Sequence, residues 1–353
     1  MSFLAVPSKR MGLRSEPLLA RFRKRVMSSL GLAVGSPVRV SGKIYYAATA
    51  LPEDVVEFAG GEVFLADTTT LGKAPLDVTL SSVHGTTIGC DPEFLILSKS
   101  GRLRDAGLLL PPEGKIGSDG VLGELRPHPS TRVTEVLTDI RLLLAKVEGL
   151  GFNVSAASSF TGNITLGYHL HFGAPSEILT YAPRGVANFL KTVAEALDVF
   201  VGVPSLVRDP DDKRRTDGIN YGMPADFRMS NVTFEYRTPG GYNLRSYKLA
   251  GSLMDVALLA YNDIIRRASL FTRGWTRMEE FNTYDHFREA YKLPRRDTVV
   301  KAMTSRDRGL ALEVVEDSLM CVSRLHDASR HRRSVEMLFN RGHVEDNIFD
   351  NWR

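Results

Sequence analysis

Four short stretches of this chain set two ionisable side chains one residue apart. They are Asp91 and Glu93 in CDPEF, Glu124 and Arg126 in GELRP, His169 and His171 in GYHLHFG, and Glu235 and Arg237 in FEYRTP. On a β-strand the side chains alternate between faces, so residues two apart point the same way. Tyr168, Leu170 and Phe172 then turn to the opposite face from the two imidazoles. If the four strands belong to one sheet, one face gathers four carboxylates, two imidazoles and two guanidiniums.

Such a face is costly to bury unless its charges are paired or hold metal. The reading that satisfies it is a cleft whose acids bind divalent cations and whose arginines meet anionic oxygens. Mg²⁺ takes carboxylate oxygen and enters with substrate phosphates, and arginine grips phosphate or carboxylate through two parallel hydrogen bonds. Together they outline a nucleoside-triphosphate site without a GxxxxGK[ST] loop, which this sequence lacks. An H-x-H pair with acids also suits a metal-dependent hydrolase. That chemistry favours further histidine ligands, and His84, His128 and His286 stand in no comparable strand context.

The elements that must position these groups follow from periodicity. Residues 36–85 alternate in short pieces (SPVRVSGKIYY, GGEVFLAD, PLDVTL) that predict small strands or hairpins. Before them, Leu18, Phe22, Val26 and Leu30 predict a basic amphipathic helix over 17–30, packed on its own domain with its basic face solvated. CDPEFLIL reads as a strand, SKSG as a turn and GSDGVLGELRP as a turn and strand. Ser130 is the expected N-cap of a helix that buries Val136, Leu137, Ile140 and Leu144 and closes near Gly149. FNVSAAS and GYHLHFG follow as strands, and Pro183 opens a helix through about Phe200. A polar loop, DPDDKRRTDGINYGMPADFR, leads into NVTFEYRTP and then a long apolar helix over 244–270. The fold class expected is α+β with a largely antiparallel sheet. Its domains are an N-terminal extension (1–85), a central domain (86–270) and a C-terminal helical region (271–353).

Composition narrows the partners. With 353 residues and 45 basic against 41 acidic side chains, the net charge of +4 does not argue for nucleic acid. No apolar run reaches the roughly 20 residues of a membrane span. Two cysteines make no disulfide framework, and the first residues lack the pattern of a secretory signal, so the cytoplasm is the expected compartment.

The order D-P-E-F, G-E-L-R-P, G-x-H-x-H, E-Y-R-T-P, with RRTDGINYGMPADFR before the last strand, resembles the glutamine-synthetase-like carboxylate–amine ligases. Within that superfamily, which also holds the glutamate–cysteine ligases, it is most similar to the phage-encoded amidoligase branch. The resemblance spans residues 86–245. It implies a glutamine-synthetase-like antiparallel sheet with helices on one face, and ATP-dependent amide formation through an acyl phosphate. It implies Mg²⁺ or Mn²⁺ held by Asp91, Glu93, Glu124, His169 and Glu235. His171 would face the nucleotide phosphates, Arg237 the transferred phosphoryl group, and Arg214, Arg215 and Arg228 a phosphate or carboxylate. Arg237, Glu235 and His171 are thus the expected catalytic groups. A carboxylate and an amine are the implied substrates, with peptides or proteins among the candidates, and an oligomer is compatible.

The sequence departs from the pattern in using an aspartate for the first acid and one clear carboxylate on the second strand. Three alternatives keep parts of this reading. They are a virion-associated scaffold on the same fold, a metal-dependent hydrolase, and a phosphotransferase acting on guanidino compounds.

Overall fold

The computed structural model describes the short strands within residues 37–77 and residues 86–173, 186–209, 211–215, 219–229, 233–271, 284–305, 307–339 and 348–353. The helix expected over 17–30 lies outside the described residues. The chain divides into two units, one of residues 1–85 with 265–278, the other of residues 86–264 with 279–353. In the first, β1 (Pro37–Val40) pairs antiparallel with β2 (Lys43–Tyr46) and parallel with β5 (Leu76–Asp77). There β3 (Glu57–Ala59) and β4 (Glu62–Phe64) form a hairpin.

The second unit is built on β6 (Ile88–Leu97), whose ten residues are long enough to pair with several neighbours in succession. Short strands follow: β7 (Leu103–Arg104), β8 (Ile116–Asp119), β9 (Leu122–Leu125), β10 (Asn153–Ser155), β11 (Ser159–Phe160) and β12 (Ile164–Thr165). Then come β13 (Tyr168–Gly173), β14 (Phe227–Met229) and β15 (Thr233–Tyr236). The main sheet runs β14-β15-β13-β6-β9-β8, with β7 and β10 also on β6, and every one of these pairings is antiparallel. The expected α+β class with a largely antiparallel sheet is what forms.

Eight helices are described: α1 (Val133–Gly149), α2 (Val186–Leu197), α3 (Val203–Arg208), α4 (Tyr247–Phe271), α5 (Tyr284–Tyr291), α6 (Arg296–Thr304), α7 (Arg308–Val322) and α8 (Arg332–Phe339). The apolar face of β13 and β15 packs on α4. Phe172 stacks on Tyr261 at 4.4 Å, Phe234 lies 5.9 Å from the same ring, and the Tyr168 hydroxyl meets Met254 sulfur at 3.5 Å. The C-terminal helices join the same unit, with Phe189 of α2 against Phe287 of α5.

Two local expectations shift. The helix of residues 133–149 is preceded by Arg132 without a side-chain cap, because Ser130 is drawn into the sheet by backbone bonds to Ile88 in both directions. Its hydroxyl instead accepts the Arg132 N–H at 3.1 Å. The helix expected to run to Phe200 ends at Leu197 and widens into a π-turn, Asp198–Gly202, before α3. Such π-turns recur at functional sites. This one buries Asp198, which accepts from the Tyr236 hydroxyl and Ala225 N at 2.7 Å each and from Arg296 at 2.8 Å. One buried carboxylate thus ties β15 and its preceding loop to α6.

Gly123 shows how closely this sheet is packed. A methyl there would overlap the ring of the fully buried Phe94. Overpacking costs about 1–3 kcal/mol, so Gly123→Ala is expected to lower the urea midpoint by a corresponding amount.

Candidate active site

Register decides which charged groups meet. In antiparallel pairs, residues directly opposite share a face. His169 stands opposite Asp91, His171 opposite Glu235, and Glu93 opposite Glu124. Because Asp91 and Glu93 are two apart on β6, as are the two histidines on β13, these groups fall on the face away from α4. All four polar pairs therefore belong to strands of one sheet, with Arg126 and Arg237 one residue past the ends of β9 and β15.

At the centre, His171 Nε2 is 3.0 Å from Asp91 Oδ2, while His169 Nδ1 is 3.3 Å from Asp91 Oδ1 and 3.6 Å from Glu235 Oε1. Arg237 Nε lies 3.2 Å from the same Glu235 oxygen, and its Nη1 is 3.7 Å from Asp226. On the β9 side, Glu124 is ion-paired with Arg126, whose guanidinium also donates to the carbonyls of Pro112 and Gly114. Arg126 is thereby engaged by its own hairpin.

Electrostatics follow from this crowding. Burial alone would raise the Asp91 carboxyl, but the imidazoles of His169 and His171 beside it outweigh burial and hold the value at about 2. Burial pushes the His171 imidazole down, and the Asp91 hydrogen bond and charge carry it above its ordinary value. Burial, with Asp91 nearby, lifts Glu124 to about 7, and burial raises Glu93 as well.

Asp91, His171 and Glu235 each bring a ligand atom into one group spanning no more than 4.8 Å, and His169 Nδ1 borders it. Asp91 Oδ1 is buried with no hydrogen-bond partner, an oxygen that a cation would satisfy. Carboxylate oxygen suits Mg²⁺ or Mn²⁺ and imidazole nitrogen the first-row transition ions, so a mixed set of this kind can hold a divalent ion. The donor set fits a divalent ion, with His171 in the group where the resemblance implied His169, whose Nδ1 lies beside it.

The loop arginines go elsewhere. Arg214 is 1% exposed and holds Asp212 with Nε at 3.0 Å and Nη2 at 2.8 Å, and it also donates to the carbonyls of Thr238 and Pro239. Arg215 holds Asp212 at 2.9 Å and the carbonyls of Gly222 and Thr238. Where the resemblance implied a phosphate or carboxylate contact, the bonds these arginines make are to groups of the protein itself, pinning the loop to the end of β15. Arg228 is exposed on β14, opposite Glu235 in register.

Two site residues went unnoticed in the sequence, Tyr221 and Asp226. The Tyr221 hydroxyl is 2.9 Å from His169 Nε2 and 3.2 Å from Glu93, and Arg237 lies over its ring at 5.6 Å. Both sit within the RRTDGINYGMPADFR block, but an irregular loop offers no periodicity from which a side-chain direction can be read.

No curated protein matches the chain. Among solved structures, a novel glutamine synthase homolog aligns at a TM-score of 0.37 and 14% identity, covering 82% of this chain and 80% of that one. A bifunctional glutathione synthetase from Pasteurella multocida aligns at 0.36 and 9% identity, covering 70% of this chain and 52% of that one. Residues 88–339, which hold every charged pair described above, match the family described as phage phiEco32-like COOH.NH2 ligase-type 2, and the chain belongs to that family.

Proposed function

We propose that this protein is an ATP-dependent carboxylate–amine ligase that forms an amide through an acyl phosphate. The observation that carries the reading is the convergence of Asp91, His171 and Glu235, bordered by His169 and Arg237, on one face of the sheet. A divalent cation held by Asp91, the histidines and Glu235, with Glu93 and Glu124 beside them, would neutralise the charge of a triphosphate.

The chain's own groups have distinct tasks. Arg237 is held by Glu235 and Asp226 at the edge of the cluster, where its guanidinium can meet the equatorial oxygens of the phosphoryl group in flight. His171 Nε2, 3.0 Å from Asp91 Oδ2, would be presented to the cation together with that carboxylate. A substrate carboxylate oxygen attacks the γ-phosphorus and ADP leaves; the amine then attacks the acyl carbon, and phosphate departs with that carboxylate oxygen. The substrates are an acid and an amine, with a peptide or protein end among the candidates. No helix among the described residues is long and apolar enough to cross a membrane.

The oxygen bookkeeping supplies the test. With Mg²⁺–ATP, an ¹⁸O-labelled acid and an amine drawn from a panel of amino acids and peptides, one label should appear in released phosphate. ADP should form in quantity only when acid and amine are both present. A stable phosphorylated product would favour a phosphotransferase, and bond cleavage without nucleotide a hydrolase.

A further inference from the structure

This inference rests on the cation site proposed above and concerns how His169 is held in it. Tyr221 comes from a loop, not from the sheet, yet its hydroxyl lies 2.9 Å from His169 Nε2 and 3.2 and 3.4 Å from the two Glu93 oxygens. Glu93 is 3% exposed and takes the Gly167 N–H on Oε2 at 2.5 Å. An ionised carboxylate only accepts, so the Tyr221 proton is given to Glu93. The hydroxyl oxygen is left to accept, and the atom that faces it is His169 Nε2, which therefore carries a hydrogen. A neutral imidazole protonated on Nε2 has its lone pair on Nδ1. That nitrogen is the one beside Asp91 Oδ1 and Glu235 Oε1. A lone pair set against two carboxylates is repulsive until a cation stands among them.

We propose that Tyr221 is a positioning residue that fixes His169 in the Nε2–H tautomer, so that Nδ1, together with Asp91 and Glu235, is presented to a divalent cation. Metal-bound histidines generally hand the other ring N–H to an acceptor that sets tautomer and orientation. Here the acceptor is a phenol, itself oriented by a buried carboxylate. The ring is held in place independently of its hydroxyl, by Arg237 at 5.6 Å and by the Tyr221 N–H to Arg214 carbonyl bond at 3.1 Å. Removing the hydroxyl therefore isolates the tautomer effect from the placement of the loop.

Tyr221→Phe in the full chain tests this with Mn²⁺ alone as the probe. Titration calorimetry should show a roughly 10–100-fold weaker Mn²⁺ affinity, the usual cost of losing an outer-shell partner, at an unchanged melting temperature. In ¹⁵N spectra of the Mg²⁺-loaded protein, His169 should be the Nε2–H tautomer in the wild type and a mixture in the variant. Mn²⁺ affinity within about threefold of wild type, or a His169 tautomer indifferent to the substitution, overturns the inference while the cation site stands. A wild-type protein that binds no Mn²⁺ removes the site and this inference with it.

Discussion

Glu235→Ala is expected to weaken Mn²⁺ binding by roughly 100-fold or more and to cut nucleotide turnover by about 10³-fold, equivalent to about 4 kcal/mol of transition-state stabilisation. Glu235 is the carboxylate at which three charged or ionisable side chains meet. Its Oε1 lies 3.6 Å from His169 Nδ1 and 3.2 Å from Arg237 Nε, and the residue stands opposite His171 in register. Alanine deletes one oxygen donor of the three-residue group and leaves Arg237 with the more distant Asp226 at 3.7 Å and the Tyr221 ring at 5.6 Å, a looser hold on its guanidinium. The fold should survive, because β15 is anchored by its other face, where Phe234 and Tyr236 are fully buried. Glu235→Gln is the informative companion. It keeps shape and hydrogen-bonding reach but loses the charge, so it should resemble alanine in Mn²⁺ titration and ADP release. Turnover of Glu235→Ala within tenfold of wild type, with native circular dichroism, would take Glu235 out of the reaction.

What sequence could convey, and what it could not, separates along physical lines. A strand's two-residue period is strict, so the placement of Asp91 with Glu93, and of His169 with His171, on one face needed only the strand assignment. Register needed tertiary structure. Nothing local specifies that His169 lies opposite Asp91 while His171 lies opposite Glu235, yet that offset decides that both imidazoles reach Asp91. The long helix was legible from its apolar stripe, whereas the π-turn at Asp198 was not, since it depends on partners 27 and 38 residues away. DPDDKRR reads equally well as a solvated loop or a phosphate contact. The burial of its two arginines is dictated by distant carbonyls, among them those of Thr238 and Pro239, that the loop covers.

That loop supports the other large effect: Asp212→Ala is expected to destabilise the protein by about 3–5 kcal/mol, because it leaves buried cations unpaired. The Asp212 side chain is 2% exposed and accepts from Arg214 at 3.0 and 2.8 Å and from Arg215 at 2.9 Å; those two side chains are 1% and 2% exposed. Burial alone would raise the Asp212 carboxyl, but the charges of Arg214 and Arg215 outweigh it and hold the group below its ordinary value. A depressed folded-state value means the ion cluster contributes fully above an unfolded pKa of about 3.9 and is lost as the pH falls below it. The stability difference between wild type and Asp212→Ala should therefore be flat from neutral to mildly acidic pH and narrow only in stronger acid. Adding Arg214→Met and Arg215→Met to Asp212→Ala removes the orphaned charges, but it also strips donors from the carbonyls of Thr238, Pro239 and Gly222. The triple variant should recover part of the loss and not all of it. Urea unfolding of the three proteins decides the matter. A single variant within 1 kcal/mol of wild type would mean that water reaches these guanidiniums, and would reopen Arg214 and Arg215 as groups available to a phosphate.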